Sequence, residues 1–143
     1  FSTTADGAAS PTERFRISNN GSFSSVIPGG STLYPSFDCR AWVNFNGTGT
    51  VAIRASGNVS SITDNGTGDY TVNFTTALAD ANYCVSSCYR NNVSAYNRMA
   101  PLSIKYAVAP TASALRVEGG YGDDNSALYN NQDLDYCCIS VFR

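Results

Sequence analysis

The chain contains no histidine, few charged residues and no long apolar run, and each of these shortages excludes a class of function. Without an imidazole, the sequence does not supply the usual general base or metal ligand near neutral pH, and no Ser-His-Asp or Cys-His catalytic set can form. Charged residues make up 14% of the chain and the net charge is −2, which gives no electrostatic reason to expect binding to nucleic acid or to an anionic membrane. No apolar run approaches the roughly 18 residues of a membrane span, so membrane insertion is not expected.

The five cysteines do not follow a metal-binding or disulfide pattern. The C-x-x-x-C spacing at residues 84–88 and the Cys-Cys pair at residues 137–138 differ from the C-x-x-C knuckles of structural zinc sites. On one strand Cys84 and Cys88 would share a face about 13 Å apart, which is too far for a disulfide. We therefore expect free thiols that behave as small buried apolar side chains, with a single intrachain disulfide that includes Cys39 as the alternative.

Alternation of apolar and polar residues dominates the second part of the chain. This period of two is typical of strands with one buried and one solvated face. Strands are predicted at residues 38–45, 50–55, 58–63, 69–76, 83–90, 102–109, 114–118 and 136–142. The dipeptides Asn46-Gly47 and Asn65-Gly66 predict tight hairpin turns, because they tolerate the positive φ that such turns need. No segment of about ten residues or more has a helical period. The sequence therefore predicts an all-β fold in which residues 38–143 form an antiparallel β-sandwich head.

Residues 1–37 have a different composition, in which Ser, Thr, Gly and Pro dominate. They contain one predicted short strand at residues 14–18, and Phe15, Ile17 and Phe23 have no obvious partners within so short a segment. A segment with so few core residues does not fold alone. We therefore predict a short extended neck in which the chains of a homotrimer intertwine and bury these side chains against one another.

The segment between residues 40 and 83 carries five short motifs in a fixed order. They are Ala-Trp-Val-Asn-Phe-Asn-Gly-Thr at 41–48, Ile-Arg at 53–54, Asn-Val-Ser-Ser-Ile at 58–62, Gly-Asp-Tyr-Thr-Val-Asn-Phe at 68–74 and Asn-Tyr at 82–83. This series closely resembles a module near the C-termini of tail-fibre and other receptor-binding proteins of tailed bacteriophages, especially phages of marine and cyanobacterial hosts. The Glu-Arg-Phe-Arg-Ile segment at residues 13–17 is similar to pieces that recur in the shafts of such fibres.

The resemblance implies the distal domain of a phage tail fibre, which attaches the virion to its bacterial host. The expected partners are two further copies of the chain in a homotrimer, the rest of the phage tail, and a host cell-surface polysaccharide or lipopolysaccharide bound multivalently. Such a protein is assembled in the host cytoplasm, where its cysteines stay reduced, and acts extracellularly as part of the virion. The alternatives are a polysaccharide-depolymerising tail-spike head, a structural fibre or connector segment without receptor contact, and a lectin-like module of a secreted protein.

Two longer polar segments, at residues 91–101 and 119–135, are the predicted binding loops. They combine aromatic rings, which suit the C–H faces of sugars, with Asn, Asp and Arg side chains, which suit sugar hydroxyls. The predicted receptor-binding or glycan-binding residues are Tyr96, Arg98, Tyr121, Asp123, Asp124 and Tyr129. Trp42 and Tyr136 are expected to pack in the core or in a subunit interface instead.

The acidic residues of the second loop do not predict an active site. This cluster contains Asp123, Asp124, Asp133 and Asp135. Nothing in the sequence fixes the pair of carboxylates that a glycosidase needs, and the run lacks the spacing of an EF-hand calcium loop. The sequence therefore predicts a binding protein without enzymatic activity, and it gives no reason to expect a metal or another cofactor.

Overall fold

In the computed structural model, the described residues are 2–3, 12–19, 21, 23–26, 32–35, 37–90, 100–123 and 126–143. These residues form fourteen strands and no helix, and every strand pairing is antiparallel. The all-β prediction is confirmed. None of the described residues forms a helix of the length and apolar character that crossing a membrane requires. The chain divides into two compact units, Phe1–Asp38 and Cys39–Arg143.

The first unit contains five short strands. They are β1 (Ser2–Thr3), β2 (Thr12–Glu13), β3 (Phe15–Ile17), β4 (Phe23–Val26) and β5 (Leu33–Pro35). β1 pairs with β2, and the other three form a sheet in the order β3-β4-β5. The rings of Phe15 and Phe23 lie 5.8 Å apart between centroids, so the expectation that they lack partners within this segment is wrong. Ile17, the register partner of Phe23, remains 57% exposed.

The second unit contains nine strands in two sheets. They are β6 (Cys39–Asn46), β7 (Ala52–Gly57), β8 (Val59–Gly66), β9 (Asp69–Phe74), β10 (Cys84–Arg90), β11 (Ala100–Ile104), β12 (Ala114–Asp123), β13 (Ser126–Asn131) and β14 (Tyr136–Phe142). The first sheet has the order β10-β14-β6-β7. The second has the order β11-β12-β9-β8, with β13 paired to β12.

One hydrophobic core draws side chains from both sheets of the second unit. Its buried members are Ala41, Val43, Phe45, Val59, Tyr70, Val72, Phe74, Leu102, Leu115, Val117, Leu134, Cys137, Ile139 and Val141. On each strand these residues recur at every second position, which is the alternation that the sequence shows. The ring of Phe45 from the first sheet meets that of Tyr70 from the second edge to face, with 5.2 Å between centroids. Such edge contacts suit the charge distribution of aromatic rings.

A single residue carries the chain from the first sheet to the second. Asn58 stands between β7 and β8 and has a positive φ of 56°, a conformation that Asn tolerates better than most residues. Its amide group donates to the carbonyl oxygens of Arg40 and Thr76, each at 3.0 Å, and its side-chain oxygen accepts from the Thr76 amide at 2.8 Å. Asn58 therefore forms a hydrogen-bonded corner between the sheets.

The positions of the two tight turns differ from the prediction. In the β8–β9 hairpin, Gly66 is the register partner of Asp69, and the positive φ angles belong to Gly66 and Gly68 rather than to Asn65. β6 and β7 are joined by residues 47–51, where Gly49 has the positive φ. Gly47 is needed for another reason, because a Cβ atom there would lie 2.7 Å from Cζ of Tyr70.

The prediction of a long loop at residues 119–135 is wrong. β12 continues to Asp123 and pairs with β13, so most of this segment is a hairpin. The glycines that look like turn signals in the sequence instead allow close packing. A Cβ atom at Gly119 would lie 2.7 Å from the Leu134 side chain, and one at Gly120 would lie 2.9 Å from the Asn130 backbone.

The predicted strand at residues 102–109 begins earlier and ends earlier than expected. Ala100 and Pro101, which were assigned to the loop at 91–101, belong to β11, while residues 91–99 lie outside the described part of the chain. The strand stops at Ile104 because a turn follows, in which Ala107 has a φ of 58°. The turn contains no Gly or Pro, and apolar residues alternate through it, so the sequence predicts that the strand continues.

Candidate functional site

The strand directions in the first sheet define two opposite ends of the second unit. Cys39, at the start of β6, is the register partner of Phe142, at the end of β14. Arg90, at the end of β10, is the partner of Tyr136, at the start of β14. We call the first of these the near end of the unit and the second its far end. The connection to residue 38 therefore leaves from the near end.

A buried hydrogen-bond network closes the far end. The Tyr70 hydroxyl donates to Asp133 Oδ1 at 2.8 Å and lies 3.0 Å from the carbonyl oxygen of Gly47, and the Gly68 amide donates to the same Asp133 oxygen at 2.7 Å. Burial, and then the Asp133 carboxylate, raise the pKa of Tyr70 far above its ordinary value, so the hydroxyl remains a donor. Asp133 therefore ties β9 to the segment before β14, and it is a structural residue.

Both segments that were predicted to carry the binding residues arise from the far end. Residues 91–99 directly follow Arg90. The last residues that pair β12 with β9 are Glu118 and Asp69. Beyond this point β12 continues and forms the hairpin with β13. The structure therefore brings the starting points of the two segments to one end of the unit, opposite to the end at which the chain enters.

The six predicted site residues fall into two groups. Tyr121, Asp123 and Tyr129 belong to the β12–β13 hairpin, whose register is described while the side chains of these three residues are not. Tyr96, Arg98 and Asp124 lie outside the described residues. The roles of all six side chains therefore remain predictions.

The outward side of the first sheet carries a set of side chains that the sequence reasoning did not select. Because Ala41, Val43 and Phe45 face the core, the residues that alternate with them on β6 point away from it. The burial pattern shows the same alternation on β10 and β14. We call the outward set the arginine–aromatic face. It consists of Arg40, Trp42, Asn44, Arg54, Cys88, Arg90, Tyr136, Cys138 and Phe142.

At the far end of this face, the ring of Tyr136 is flanked by two guanidinium groups. The Cζ atoms of Arg54 and Arg90 lie 4.9 and 5.6 Å from the ring centroid, within the range of a cation–π interaction. Arg90 forms an ion pair with the carboxylate of Asp135, and this hydrogen-bonded pairing holds the pKa of Asp135 below its ordinary value. Arg54 donates to the Asp135 carbonyl oxygen at 2.6 Å. Tyr136 is 37% exposed, so core packing is a wrong expectation for it, while packing in a subunit interface remains a prediction.

At the other end of the face, Trp42 packs against the backbone of β7. Its register partner is Gly57, where a Cβ atom would lie 2.9 Å from Trp42 Cδ1, so only glycine leaves room for the indole ring. Trp42 is 43% exposed, because the adjacent Val43 takes the inward position. Core packing of Trp42 is therefore a wrong expectation, while packing in a subunit interface remains a prediction.

Small side chains separate these two aromatic ends. By register, one row between them contains Cys88, Cys138, Asn44 and Ala55, and the next contains Ser86, Ser140, Trp42 and Gly57. Ser140 follows Tyr136 by four residues, so the Tyr136 row and the Trp42 row lie about 13 Å apart along the strands, with the Cys138 row between them. Rings thus stand at the two ends of this stretch of the arginine–aromatic face and small side chains predominate between them, and we call the stretch the trough.

The charged residues of this sheet all have one sign. Its four strands contain Arg40, Arg54 and Arg90 but no Asp or Glu, and Arg143 directly follows β14. Asp135 lies just before β14. Since the net charge of the whole chain is −2, positive charge is concentrated on this sheet against the overall balance.

The outward side of the second sheet carries charges of both signs in a compact network. Arg116 Nε donates to Asp69 Oδ1 at 2.8 Å, and Lys105 Nζ lies 3.1 Å from Asp69 Oδ2 and 2.8 Å from Glu118 Oε2. The hydrogen bond from Arg116 holds the pKa of Asp69 below its ordinary value. Because each carboxylate in this network has a cationic partner, the second sheet lacks the one-sided charge of the first.

A cleft of about 390 Å³ lies at the near end of the unit. It is lined by Arg40, Asn58, Ala77, Leu78, Ala79 and Arg143. Arg143 forms an ion pair with Asp80 and donates to the Asn82 carbonyl oxygen at 2.9 Å, so its charge is already matched. The lining therefore gives a weaker indication of a ligand than the arginine–aromatic face.

The five thiols are free, but their burial differs from the expectation. Cys39, Cys84 and Cys88 are exposed, whereas Cys137 is buried, which raises its pKa to about 12. The expected burial is thus wrong for the three exposed cysteines. For Cys84 and Cys88 the reason is the alternation on β10, which turns both side chains outward. Among the described residues, no group of three or more Cys, Asp or Glu side chains is arranged to hold a metal ion.

Known proteins give no further information about this site. No protein-family model, curated protein or solved structure matches the chain. The features that bear on function are therefore the arginine–aromatic face and the common origin of the two predicted binding segments at the far end.

Proposed function

We propose that the chain is the distal domain of a bacteriophage tail fibre, which attaches the virion to a polysaccharide or lipopolysaccharide on the bacterial surface. The observation that carries this proposal is the exposure of Trp42 and Tyr136 on one face of a sheet, with two arginines beside the Tyr136 ring. The motif series between residues 41 and 83 supplies the link to tail fibres. Attachment, rather than chemistry on the glycan, is the proposed activity.

A flat aromatic ring next to a guanidinium group suits a sugar. The C–H face of a pyranose packs on the ring, while Arg and Asn side chains bond its hydroxyls. Trp42 and Tyr136 are carried by neighbouring strands, and each is fixed by a specific neighbour, Gly57 for Trp42 and the arginine pair for Tyr136. Rings that are held in place lose little conformational freedom on binding, which favours affinity.

The proposed architecture is a β-sandwich head with an intertwined neck in a homotrimer. The shared core, the Phe45–Tyr70 contact and the one-residue corner at Asn58 support the sandwich. The exposed Ile17 and Phe23 of the first unit support burial between chains. Three heads would bind one cell surface at once, so that weak single sites combine into strong attachment.

The six predicted residues of the far end extend this proposal. In it, Tyr96, Tyr121 and Tyr129 provide further stacking surfaces, and Arg98, Asp123 and Asp124 provide polar contacts. The support is positional, since the segments that hold these residues start at the end opposite Cys39. A head mounted through its near end would present them to the host.

The depolymerase alternative needs two carboxylates free to act on a glycosidic bond. Of the four acidic residues in the predicted cluster, Asp133 bonds Tyr70 and Gly68, and Asp135 is paired with Arg90. These partners favour structural roles for both, and they are the reason to propose binding without hydrolysis.

Adsorption to cells tests the proposal. The purified chain should bind whole bacteria of the host and block attachment of the phage. Trp42→Ala and Tyr136→Ala should each weaken adsorption by about tenfold or more, as expected for aromatic anchors. Tyr106→Ala is the matched control, because Tyr106 is an aromatic residue that is 86% exposed on the turn after β11. A folded chain that fails to adsorb to any cell that the phage infects would contradict the proposal.

A further inference from the structure

We propose that the trough of the arginine–aromatic face binds an acidic polysaccharide, a chain of linked sugars that carries repeated carboxylate, phosphate or sulfate groups. This assignment rests on the proposed attachment function and adds to it the charge of the ligand and the place where it binds. The ligand lies along the strands between Tyr136 and Trp42, with Arg54 as its main anionic contact.

The first argument is the sign of the charge around the trough. The four strands beneath it carry arginine as their only charged residue type, although the whole chain is slightly acidic. Like charges on one face repel each other, which lowers the stability of the fold. The same charges attract a ligand of the opposite sign. A neutral glycan would make no use of this arrangement.

The second argument is the environment of Arg54. Within the described part of the chain, its guanidinium contacts neutral acceptors, the Asp135 carbonyl oxygen and Asn44 Oδ1 at 3.4 Å, and the Tyr136 ring. Arg90, in contrast, is paired with the Asp135 carboxylate. Among the described residues Arg54 therefore has no hydrogen bond to a carboxylate, although its charge helps to lower the pKa of the nearby Asp135. Its planar fork of donors matches carboxylate and phosphate oxygens.

The third argument is the way in which Arg54 is positioned. The register between β6 and β7 shifts between Asn44 and Phe45, whose partners are Ala55 and Ile53, so that Arg54 is an extra residue in β7. Such a β-bulge redirects a side chain and often occurs beside binding sites. Here it directs an exposed arginine to the end of the trough, next to Tyr136.

The fourth argument concerns the other candidate occupant, a second copy of the chain. Bringing two such faces together would place arginines opposite arginines, with no acidic residue on the strands of either copy. On the second sheet, Asp69 and Glu118 are already bonded to Lys105 and Arg116, and Asp64 is a single exposed carboxylate at one hairpin. An acidic ligand therefore matches the face better than the protein itself does.

The experiment compares a neutral glycan, its sulfated form and a carboxylated glycan with a different backbone. Binding of the full chain to dextran, dextran sulfate and polygalacturonate is measured by calorimetry at low and raised salt. We expect no binding to dextran, binding to at least one of the two polyanions, and an affinity that falls as salt rises. Because dextran and dextran sulfate share one backbone, the difference between them isolates the effect of charge, and polygalacturonate shows whether a carboxylated glycan also binds.

Two variants and a control locate the site. Arg54→Gln should weaken polyanion binding by about tenfold or more, because it removes a charge-assisted contact. Trp42→Ala should weaken it by a similar factor, since sugar stacking is lost at the other end of the trough. Arg16→Gln removes the same charge from the first unit and should change affinity less than about twofold. Unchanged thermal midpoints show that the variants remain folded.

The outcomes separate this inference from the proposed function. Equal binding to dextran and dextran sulfate, together with normal adsorption to cells, overturns the acidic ligand and leaves attachment standing. Loss of affinity in Arg54→Gln but not in Trp42→Ala means general ion exchange and overturns the trough as the site. A change of oligomeric state in Trp42→Ala, with glycan binding intact, makes the face a subunit interface and overturns the proposal.

Discussion

At the scale of single residues, the thiols of Cys88 and Cys138 face each other across β10 and β14. Directly opposed residues in antiparallel strands have Cβ atoms about 4.5–5.5 Å apart, slightly farther than in an unstrained disulfide. A disulfide here would therefore be strained and easily reduced. Burial first, and then contact with Cys88, raise the pKa of Cys138, so the reactive thiolate becomes more abundant as pH rises.

We expect oxidised glutathione at mildly alkaline pH to produce one disulfide, between Cys88 and Cys138. Freshly purified protein should run alike on reducing and non-reducing gels, and peptide mass spectrometry should find the new bond only after oxidation. Cys84→Ser should leave the reaction unchanged, whereas Cys88→Ser should abolish it. Oxidation that joins Cys84 to Cys39 instead would show that the two strands are not in this register.

Burial along β6 could be predicted from the sequence, because alternation identifies Ala41, Val43 and Phe45 as inward. The same alternation turns Trp42 outward, yet its place in the motif that resembles tail-fibre modules favours packing in the core or in a subunit interface. The sequence does not show that position 57 must be glycine in order to leave room for the Trp42 ring on the neighbouring strand. Such a contact joins residues 15 positions apart and becomes evident only when the register is known.

At the scale of elements, the corner at Asn58 combines an unusual backbone angle with three hydrogen bonds. We expect Asn58→Gly to lower the free energy of unfolding by about 1–2 kcal/mol, because glycine keeps the angle but loses the side-chain bonds. Asn58→Ala should be worse by about 1 kcal/mol, since a Cβ atom disfavours the positive φ. Urea denaturation measures both, and equal stability of Gly and Ala variants would show that the angle carries no strain.

The ion pairs of Asp69 predict how the second sheet responds to acid. The pKa of Asp69 is lowered from its ordinary 3.8, mainly by the hydrogen bond from Arg116. Because the pKa of Asp69 is lower in the folded chain than in the unfolded chain, its carboxylate stabilises the fold at pH values above the unfolded-state pKa. This stabilisation is lost as the pH falls through the folded-state pKa. Thermal midpoints should therefore fall steeply below about pH 4.

Asp69→Asn tests this assignment. The variant should lose about 2 kcal/mol at neutral pH, because Arg116 and Lys105 lose a charged acceptor, and its midpoint should depend less on pH in the acidic range. Asp64→Asn is the control, since Asp64 is exposed on the β8–β9 hairpin and bonds only the Gly66 amide among the described residues. An Asp69→Asn variant with the wild-type acid profile would assign the dependence to other carboxylates.

Strands could be predicted well where alternation is regular, as in β6, β9, β10 and β14, whose bounds match the sequence interpretation to within a residue or two. β13 was missed because its partner segment holds three glycines at 119, 120 and 122, which indicate a turn unless close packing against Leu134 and Asn130 is known. The early end of β11 was missed because Ala107 gives no local sign of its positive φ.

At the scale of the whole molecule, we expect light scattering at micromolar concentration to show a homotrimer. The exposed Ile17 and Phe23 on the small sheet of the first unit are the reason. Phe15→Ser should weaken assembly, because it removes the ring that packs on Phe23, and it should leave the second unit folded. Tyr106→Ser, a change in the second unit, should not affect assembly. A stable monomer of the unmodified chain would contradict this prediction.

The candidate site was predicted less well than the fold, and the reason is physical. Sequence reasoning looks for binding residues in loops, because loops vary and are exposed. The arginine–aromatic face lies on strands, and Arg54, Trp42 and Tyr136 come together only through the pairing of β14 with β6 and of β6 with β7. Neighbours of this kind are far apart in sequence, so a local pattern does not reveal them.

The position of β14 in the first sheet sets the order in which this chain folds. β14 is the last strand of the described chain, yet it lies between β10 and β6 and pairs with both. During synthesis, about 90 further residues must be added after β6 before β14, with which it pairs, leaves the ribosome. Contacts so distant in sequence slow folding, and they leave an unpaired strand edge exposed meanwhile. We therefore expect deletions that remove β14 to yield insoluble protein rather than a smaller domain, because β6 and β10 would each lose a neighbour.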